Sequence, residues 1–574
     1  MSNTILYLFF YSVVTLITTG CSFLETKESS PEKITLIRLF PEGQVRKAEI
    51  NSRILASPLL DLSQQKPRII VPFENGAIAL MDSDTGNVIS KIQLPAPKDK
   101  RFQISATPVV AGNRLIVVYQ LMVKGLRVSH HLAVIDLEQQ KLLDNIYPVL
   151  ELTAELPASD RSGIVRFNPQ TAYPHSAVKY VPKQNNEPGL VYVAFGGAGD
   201  IQPYHGWLFE IDMDAWRKKG KEAAISSVLV TTPESECPVK FDSGNREMIC
   251  GGGIWTPAGP QVDMQNNGFE ILVPTGNGQI DLARHDYANT LMRLKSGLQF
   301  DPECDKNLCS NFNPVNPSIA CLESCKNLFI PRLDPDDKPL RPANGDCDDK
   351  TFWQCLAWMD YDLGANAPVK VNLKNDLSVW IQAGKEGGIY MVDAKHLGTQ
   401  YDRMQIIEIC GTPDDPCYLD WRGMIVTQPV VATIDEKPIV IIPTFISDDT
   451  HAAGLIALEI ILQQGKPKFK KLWQFSGPPD KKITKSFRSH PTLPILTRPE
   501  GSNERYVWVA DINEHGSLYG VRVKDGTLAA QISLVGTGQP LSTPLYYNNT
   551  IYIPSNAPGV KKAWLEGYRI RVEN

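Results

Sequence analysis

Four stretches of the chain hold polar or glycine-rich residues where a structural repeat would not need them. They are GGAGDIQPYHGW at 196–207, GGGIW at 251–255 with PTGNG at 274–278, DYDLGAN at 360–366, and GKEGG at 384–388. Together they offer a tryptophan after a glycine run (Trp255), an asparagine between glycines (Asn277), the aspartates Asp200, Asp360 and Asp362, the lysine Lys385 and the imidazole of His205. An indole is a platform for a flat ring. Asparagine and carboxylate oxygens suit a hard cation. A carboxylate can take a proton, and an ammonium can steady developing negative charge. Each residue also has a plainer use. Trp255 can pack one sheet against the next, Asn277 can fill a turn that needs positive φ, Asp360 or Asp362 can cap a turn, and Lys385 can be a surface charge. His175 and His205 are added candidates within one stretch of the chain, where a hydrogen-bonded structural histidine is the ordinary reading. No P-loop, HExxH or GxSxG step is present, so those chemistries have no support.

A repeat must position these groups. The length of 574 residues allows several domains. However, one unit recurs eight times, near 57–94, 107–141, 175–214, 253–294, 366–398, 427–460, 490–526 and 542–569. Each copy runs from a small-residue/Pro step through a short strand, a turn, a β-rich middle strand, a Gly turn and another strand to an Asp-containing turn. Several middle strands (IVVY, IVIIP, VWVA) are apolar on both faces. A lone sheet cannot bury both faces, whereas a closed ring of radially packed blades can. The pattern predicts an all-β, eight-bladed β-propeller over 36–574, with seven blades as the alternative if the terminal copies combine. Lys+Arg of 58 against Asp+Glu of 63 gives a net charge of -5, which leaves no basic surplus for nucleic acid.

The unit resembles the PQQ-type propeller repeat, whose last strand ends in G-x-lyAlD-x-x-tG. GAIALMD at 76–82 and GIYMVD at 388–393 carry it, and the resemblance covers nearly the whole chain after residue 50. The four polar stretches resemble those of PQQ-dependent quinoprotein alcohol dehydrogenases and their propeller relatives. That resemblance implies a propeller of quinoprotein alcohol dehydrogenase-like type. Trp255 would stack on the quinone and Lys385 would bind the cofactor, with His205 as an added cofactor-binding candidate. Asn277 and Asp200 would hold Ca²⁺, and Asp362 or Asp360 would take the alcohol proton. Asp200 stands where the family usually has Glu, and neither an adjacent Cys-Cys pair nor a CxxCH haem site is present. The implied function is an exported oxidoreductase acting on alcohol or sugar hydroxyls with PQQ and Ca²⁺. Two alternatives stand beside it. One is a non-catalytic envelope scaffold, like the propeller lipoprotein of the outer-membrane β-barrel assembly machinery. The other is a propeller that binds a small ligand or glycan without redox chemistry.

Residues 5–17 (ILYLFFYSVVTLI) form an apolar run of signal-peptide length, too short to span a bilayer core of about 30 Å at about 1.5 Å per residue. The run ends in TTGC, which resembles a bacterial lipobox. The expectation is a signal peptide over 1–20, a tether over 21–35 and lipid on Cys21. The protein would then be exported and anchored in the bacterial periplasm or outer membrane, with the membrane and envelope proteins as partners. A plain secretory signal is the alternative. The ten remaining cysteines are an even number, which predicts five disulfides in an exported chain. Cys237 with Cys250 and Cys410 with Cys417 would close local loops. Cysteines 304, 309, 321, 325, 347 and 355 would staple an insert over 296–357 whose connectivity the sequence leaves open. Zinc is the alternative for the CxxxxC and CxxxC pairs. The acidic residues Asp334, Asp336, Asp337, Asp346, Asp348 and Asp349 could hold Ca²⁺ or form a solvated loop.

Overall fold

The computed structural model describes residues 32–40, 51–160, 163–183, 189–199, 203–234, 240–242, 245–247, 250–265, 268–337, 339–340, 347–406, 425–446, 452–478, 486–512 and 516–573. The eight repeats form eight antiparallel sheets arranged as an eight-bladed β-propeller. Blade 1 spans 59–93, blade 2 101–151, blade 3 172–230, blade 4 261–329, blade 5 369–405, blade 6 430–475, blade 7 495–533 and blade 8 537–573. Blade 8 is completed from the other end of the sequence. Lys33–Phe40 pairs antiparallel with Ala563–Glu573, with Leu36 opposite Ile570. The last copy is therefore a full blade rather than half of a shared one. The first strand also begins at Lys33, ahead of the expected start at 36.

Burial explains the two-faced apolar strands. The middle strands Arg68–Pro72 and Tyr506–Asp511 are buried along their whole length, while the outer strand Val88–Gln93 is mostly exposed. Apolar clusters fill the wedges between neighbouring blades. Ile70 and Leu80 meet Leu115 and Val117 between blades 1 and 2. Tyr192 and Leu208 meet Ile271 and Val273 between blades 3 and 4. Val71 and Ala79 meet Tyr552 and Leu565 between blades 1 and 8. Each buried Val, Leu or Ile contributes about 1.5–3 kcal/mol, so both faces of a middle strand stabilise the ring.

The repeat's terminal turn has a second role at the closure. Asp82 Oδ1 accepts the Asp84 and Thr85 N–H groups, and the Gly86 N–H donates to the Asp82 carbonyl. Gly86 sits at φ +67°, and a Cβ there would lie 2.5 Å from the Phe40 ring of the closing strand.

The cysteine-rich insert is two pieces. Leu328–Phe329 pairs with Leu291–Lys295 as the fourth strand of blade 4 and divides the insert, a strand too short to show in the sequence pattern. Before it, Cys304–Cys325 and Cys309–Cys321 staple the loop around the helix Ile319–Ser324. After it, Cys347–Cys355 anchors the helix Phe352–Trp358, whose start is capped reciprocally by Thr351 and Gln354. These six sulfurs are paired with one another, so zinc is not their role. Cys250 is also disulfide-bonded. Cys21, Cys237, Cys410 and Cys417 lie outside the described residues. Two of the acidic residues, Asp334 and Asp337, clamp the insert to blade 5. Asp334 accepts from Gln400 and from the Arg403 N–H, and Asp337 pairs with the Arg403 guanidinium at 2.9 Å. Among the described residues no helix is long and apolar enough to cross a membrane.

Candidate functional site

A cavity of about 480 Å³ opens at one mouth of the ring over blades 3, 4 and 5. Its lining includes Tyr173, His175, Tyr204, Trp255, Asp360, Asp362, Lys385 and His490. Backbone stitching of the glycine-rich stretches builds its floor. The Gly206 N–H donates to the Gly251 carbonyl, Gly252 to Asn277, Gly276 to Gly253, and Ile254 to Phe195. Glycine is required where these backbones touch. A Cβ on Gly196 would lie 2.7 Å from Trp255 Cβ, and one on Gly253 would lie 3.0 Å from Gly196 Cα. The glycines thus bring Trp255 to the cavity wall, where it is half-buried.

Asp360 and Asp362 directly follow the insert. The helix Phe352–Trp358 ends just before Asp360, which takes a left-handed φ of +56°, a conformation aspartate tolerates. The chain then enters a short 3₁₀ turn, Leu363–Ala365, whose first N–H is held by Asn289 Oδ1. Lys385 lies in the tight turn between the blade 5 strands Ser378–Ala383 and Gly388–Asp393, and its N–H donates to the Asp362 carbonyl. The side chains close on one another. Lys385 Nζ lies 2.6 Å from Asp360 Oδ2 and 3.8 Å from Asp362 Oδ2. Trp255 Nε1 donates to Asp362 Oδ2 at 3.2 Å, and the ammonium sits 5.5 Å from the indole centroid. Lys385 and Asp362 are buried, so the ion pair acts in a low-dielectric setting. His175 stacks on Tyr173 at 5.9 Å and lies tilted 6.4 Å from Trp255. Burial pushes its pKa down to about 4, and its Nδ1 has no partner among the described residues. A neutral imidazole therefore faces the same space.

The structure gathers Trp255, Asp360, Asp362 and Lys385, which the sequence spreads over blades 4 and 5 and the insert between them. It does not bring Asn277 or His205 to the cavity lining. Asn277 is buried within the stitched floor, with its carbonyl taken by the Gly252 N–H. His205 Nδ1 donates to the Thr232 carbonyl at 2.7 Å, and its ring meets Trp207 edge-on. Burial lowers its pKa, and it serves as a strut behind the wall. Asp200 lies outside the described residues.

Tyr173 and His490 carry no expectation from the sequence, Tyr204 falls within a polar stretch without a role of its own, and His175 is an added candidate whose ordinary reading is structural. For His175 a signal existed. The residue ahead of the small-residue/Pro step is Ala56, Ala106, Asn366, Thr427, Thr492 or Ser542 in six copies, but His175 and Trp255 in blades 3 and 4. Laying the copies over one another exposes both departures.

The lining can be tested against a quinone and its calcium. A half-buried indole above a glycine floor suits a flat ring. The oxygens do not suit Ca²⁺, which takes six to eight oxygen ligands. The Lys385 ammonium already occupies the space between Asp360 and Asp362, and Asn277 is not at the cavity. Among the described residues no three carboxylate or imidazole groups converge there within ligating reach. PQQ also carries several carboxylates, while the lysine here is claimed by two aspartates. The described residues fit the ring and not its calcium or its charge.

No protein-family model matches the chain, and no curated protein sequence matches it. A quinohemoprotein alcohol dehydrogenase from Pseudomonas putida HK5 superposes with a TM-score of 0.50 at 10% identity, over 94% of this chain and 76% of that one. One from Comamonas testosteroni gives 0.47 at 11% identity, over 90% and 75%. BamB from Moraxella catarrhalis gives 0.41 at 9%, over 91% and 98%. The chain is an eight-bladed β-propeller with a disulfide-rich insert, as the repeat and the cysteines predicted. At these identities the likeness extends to the fold alone.

Proposed function

We propose that the protein is a ligand-binding propeller whose mouth cavity takes a hydroxyl-bearing ligand of the alcohol or sugar class. The observation that carries this reading is the contact network of Trp255, Asp362, Lys385 and Asp360 at one aromatic-lined opening. A sugar or alcohol presents an apolar C–H face to an indole and hydroxyl donors to carboxylates. Asp360 and Asp362 can accept such donors, and Lys385 holds both in place. His175, neutral and with an open Nδ1, adds a further polar contact. Asp362 is also where a hydroxyl proton could be taken, which is the oxidoreductase version of this reading. For that version the described residues do not complete a calcium site.

Calorimetric titration with a panel of mono- and oligosaccharides and simple alcohols tests the reading, with Trp255→Ala and Asp362→Asn as comparisons. At least one member of the panel should bind, and both variants should weaken it about tenfold or more, the scale of losing a stacked ring or a charge-assisted hydrogen bond. Failure of the whole panel would leave the network as a clasp between blades 4 and 5, as a non-catalytic scaffold would have it. A parallel arm adds PQQ with and without Ca²⁺. A Ca²⁺-dependent rise in melting temperature with dye-linked alcohol oxidation would promote the quinoprotein version, since a ligand bound only by the native state must stabilise it.

We also propose export and lipid anchoring through Cys21, supported by the apolar run before it and by the disulfides of the insert. Mass spectrometry of the mature N-terminus decides this. An unmodified Cys21 in membrane-fraction protein would end the lipoprotein reading.

A further inference from the structure

Away from the mouth cavity, the inner strands enclose a second space of about 490 Å³, within the size range of ligand pockets. Its wall repeats the proline step of the copies: Pro58, Pro108, Pro257, Pro429, Pro494 and Pro544 all face it, with aliphatic side chains between them. One ionisable group lines it, Lys179 on the inner strand Lys179–Val181 of blade 3. No carboxylate, histidine or arginine shares the lining, and Lys179 forms no ion pair or side-chain hydrogen bond among the described residues. The lysine stem is fitted rather than loose. Gly259, just ahead of blade 4, sits at φ +74°, and a Cβ there would lie 2.9 Å from Lys179 Cε. Burial alone pulls the lysine pKa down to about 8, so the amine is still mostly protonated at neutral pH.

An unpaired ammonium in an apolar channel is costly unless something pairs with it. The chemistry that would pair is a single negative charge on an apolar body. We propose that the central channel is a second ligand site, for an unbranched medium-chain aliphatic carboxylate whose head group pairs with Lys179 and whose chain lies along the proline-lined wall. The site is separate from the mouth cavity and does not depend on what that cavity binds. A neutral amphiphile would leave the ammonium unpaired, and a cationic one would be repelled.

The test is calorimetric titration of the whole protein with decanoate, decanol and decyltrimethylammonium. Decanoate should bind, the other two should bind at least about tenfold more weakly, and Lys179→Met should cost decanoate about tenfold or more while Lys179→Arg retains it. Decanoate affinity for the unaltered protein should also fall about tenfold per pH unit above pH 8, as the ammonium is lost. This second measurement stands even if Lys179→Met fails to fold. No binding of decanoate, equal binding of decanol, undiminished binding to a folded Lys179→Met variant, or an affinity unchanged from pH 7 to 10 would each overturn the proposal.

Discussion

The wedge across blades 5, 6 and 7 and the mouth over blades 3, 4 and 5 are built from the same repeat. In the wedge, strands such as Lys437–Pro443 and Leu455–Gln463 press Val440, Ile441, Ala457 and Leu458 into one apolar cluster. At the mouth, the repeat gives way to an indole, an imidazole, two carboxylates and an ammonium in mutual contact. The wedge needs only volume and apolarity, and near-isosteric changes there are tolerated. The mouth network needs each partner, because a charge left alone in a buried site costs more than the pair contributed. The repeat therefore supplies the scaffold, and departures from it mark where a ligand is handled.

The largest expected effect comes from breaking that network. Lys385→Met should lower unfolding stability by about 3–5 kcal/mol, because two aspartates lose their shared cation in a buried site. Adding Asp360→Asn and Asp362→Asn to the same chain should restore most of the loss. Denaturant titration of the single and triple variants checks this. A single variant as stable as the parent would show that the pair is solvated and that the contrast with the wedge is false.

Next come two opposite pH dependences within the mouth side of the ring. His175 is held neutral, with its pKa down from 6.5 to about 4. Its folded form binds fewer protons than its unfolded form between those values, so stability should fall as pH drops from about 6.5 to 4. Asp286, buried in the blade 4 hairpin, has its pKa pushed up to about 9 by burial, with Glu234 and Asp281 adding like charge. Its folded form binds the extra proton, so stability should fall as pH rises from about 4 to 9. One proton contributes at most about 1.4 kcal/mol per pH unit in either window. Melting curves against pH should show His175→Gln flattening the acid limb and Asp286→Asn the alkaline limb. A shared response of both limbs to either variant would contradict the assignment.

Much of the ring was legible because β-structure leaves a period. The eight copies, the two-faced apolar strands and the Asp-Gly turns all appear in single residues such as Asp82 and Gly86. The closing role of Lys33–Phe40 was not legible, since a strand pairing with Ala563–Glu573 across the whole sequence carries no local signal. Leu328–Phe329 was too short to read, and its neighbours are disulfide-held loops. At the site, the order Trp255, Asp362, Lys385 was readable, but whether each faced a cavity was not. His205 and Asn277 have the right chemistry and point into the wall, because a side chain's direction depends on backbone pairings such as Gly251 with Gly278.

The smallest effects define the floor of the comparison. Ile441→Val in the wedge removes one methylene from a fully buried site and should cost about 0.5–1.5 kcal/mol without touching ligand binding at the mouth. Lys33 forms an ion pair with Glu573 at 2.6 Å, at a distance similar to that of Lys385 with Asp360. Its side chain is 75% exposed, against 6% for Lys385, so water and salt screen the interaction. The closing strand is held instead by its backbone ladder and by the buried Ile34 and Phe40. Lys33→Ala should therefore leave the melting temperature where it was, at low and high salt alike. A drop as large as that of Ile441→Val would mean that the ring's closure leans on this exposed charge, and that burial does not separate the two lysines.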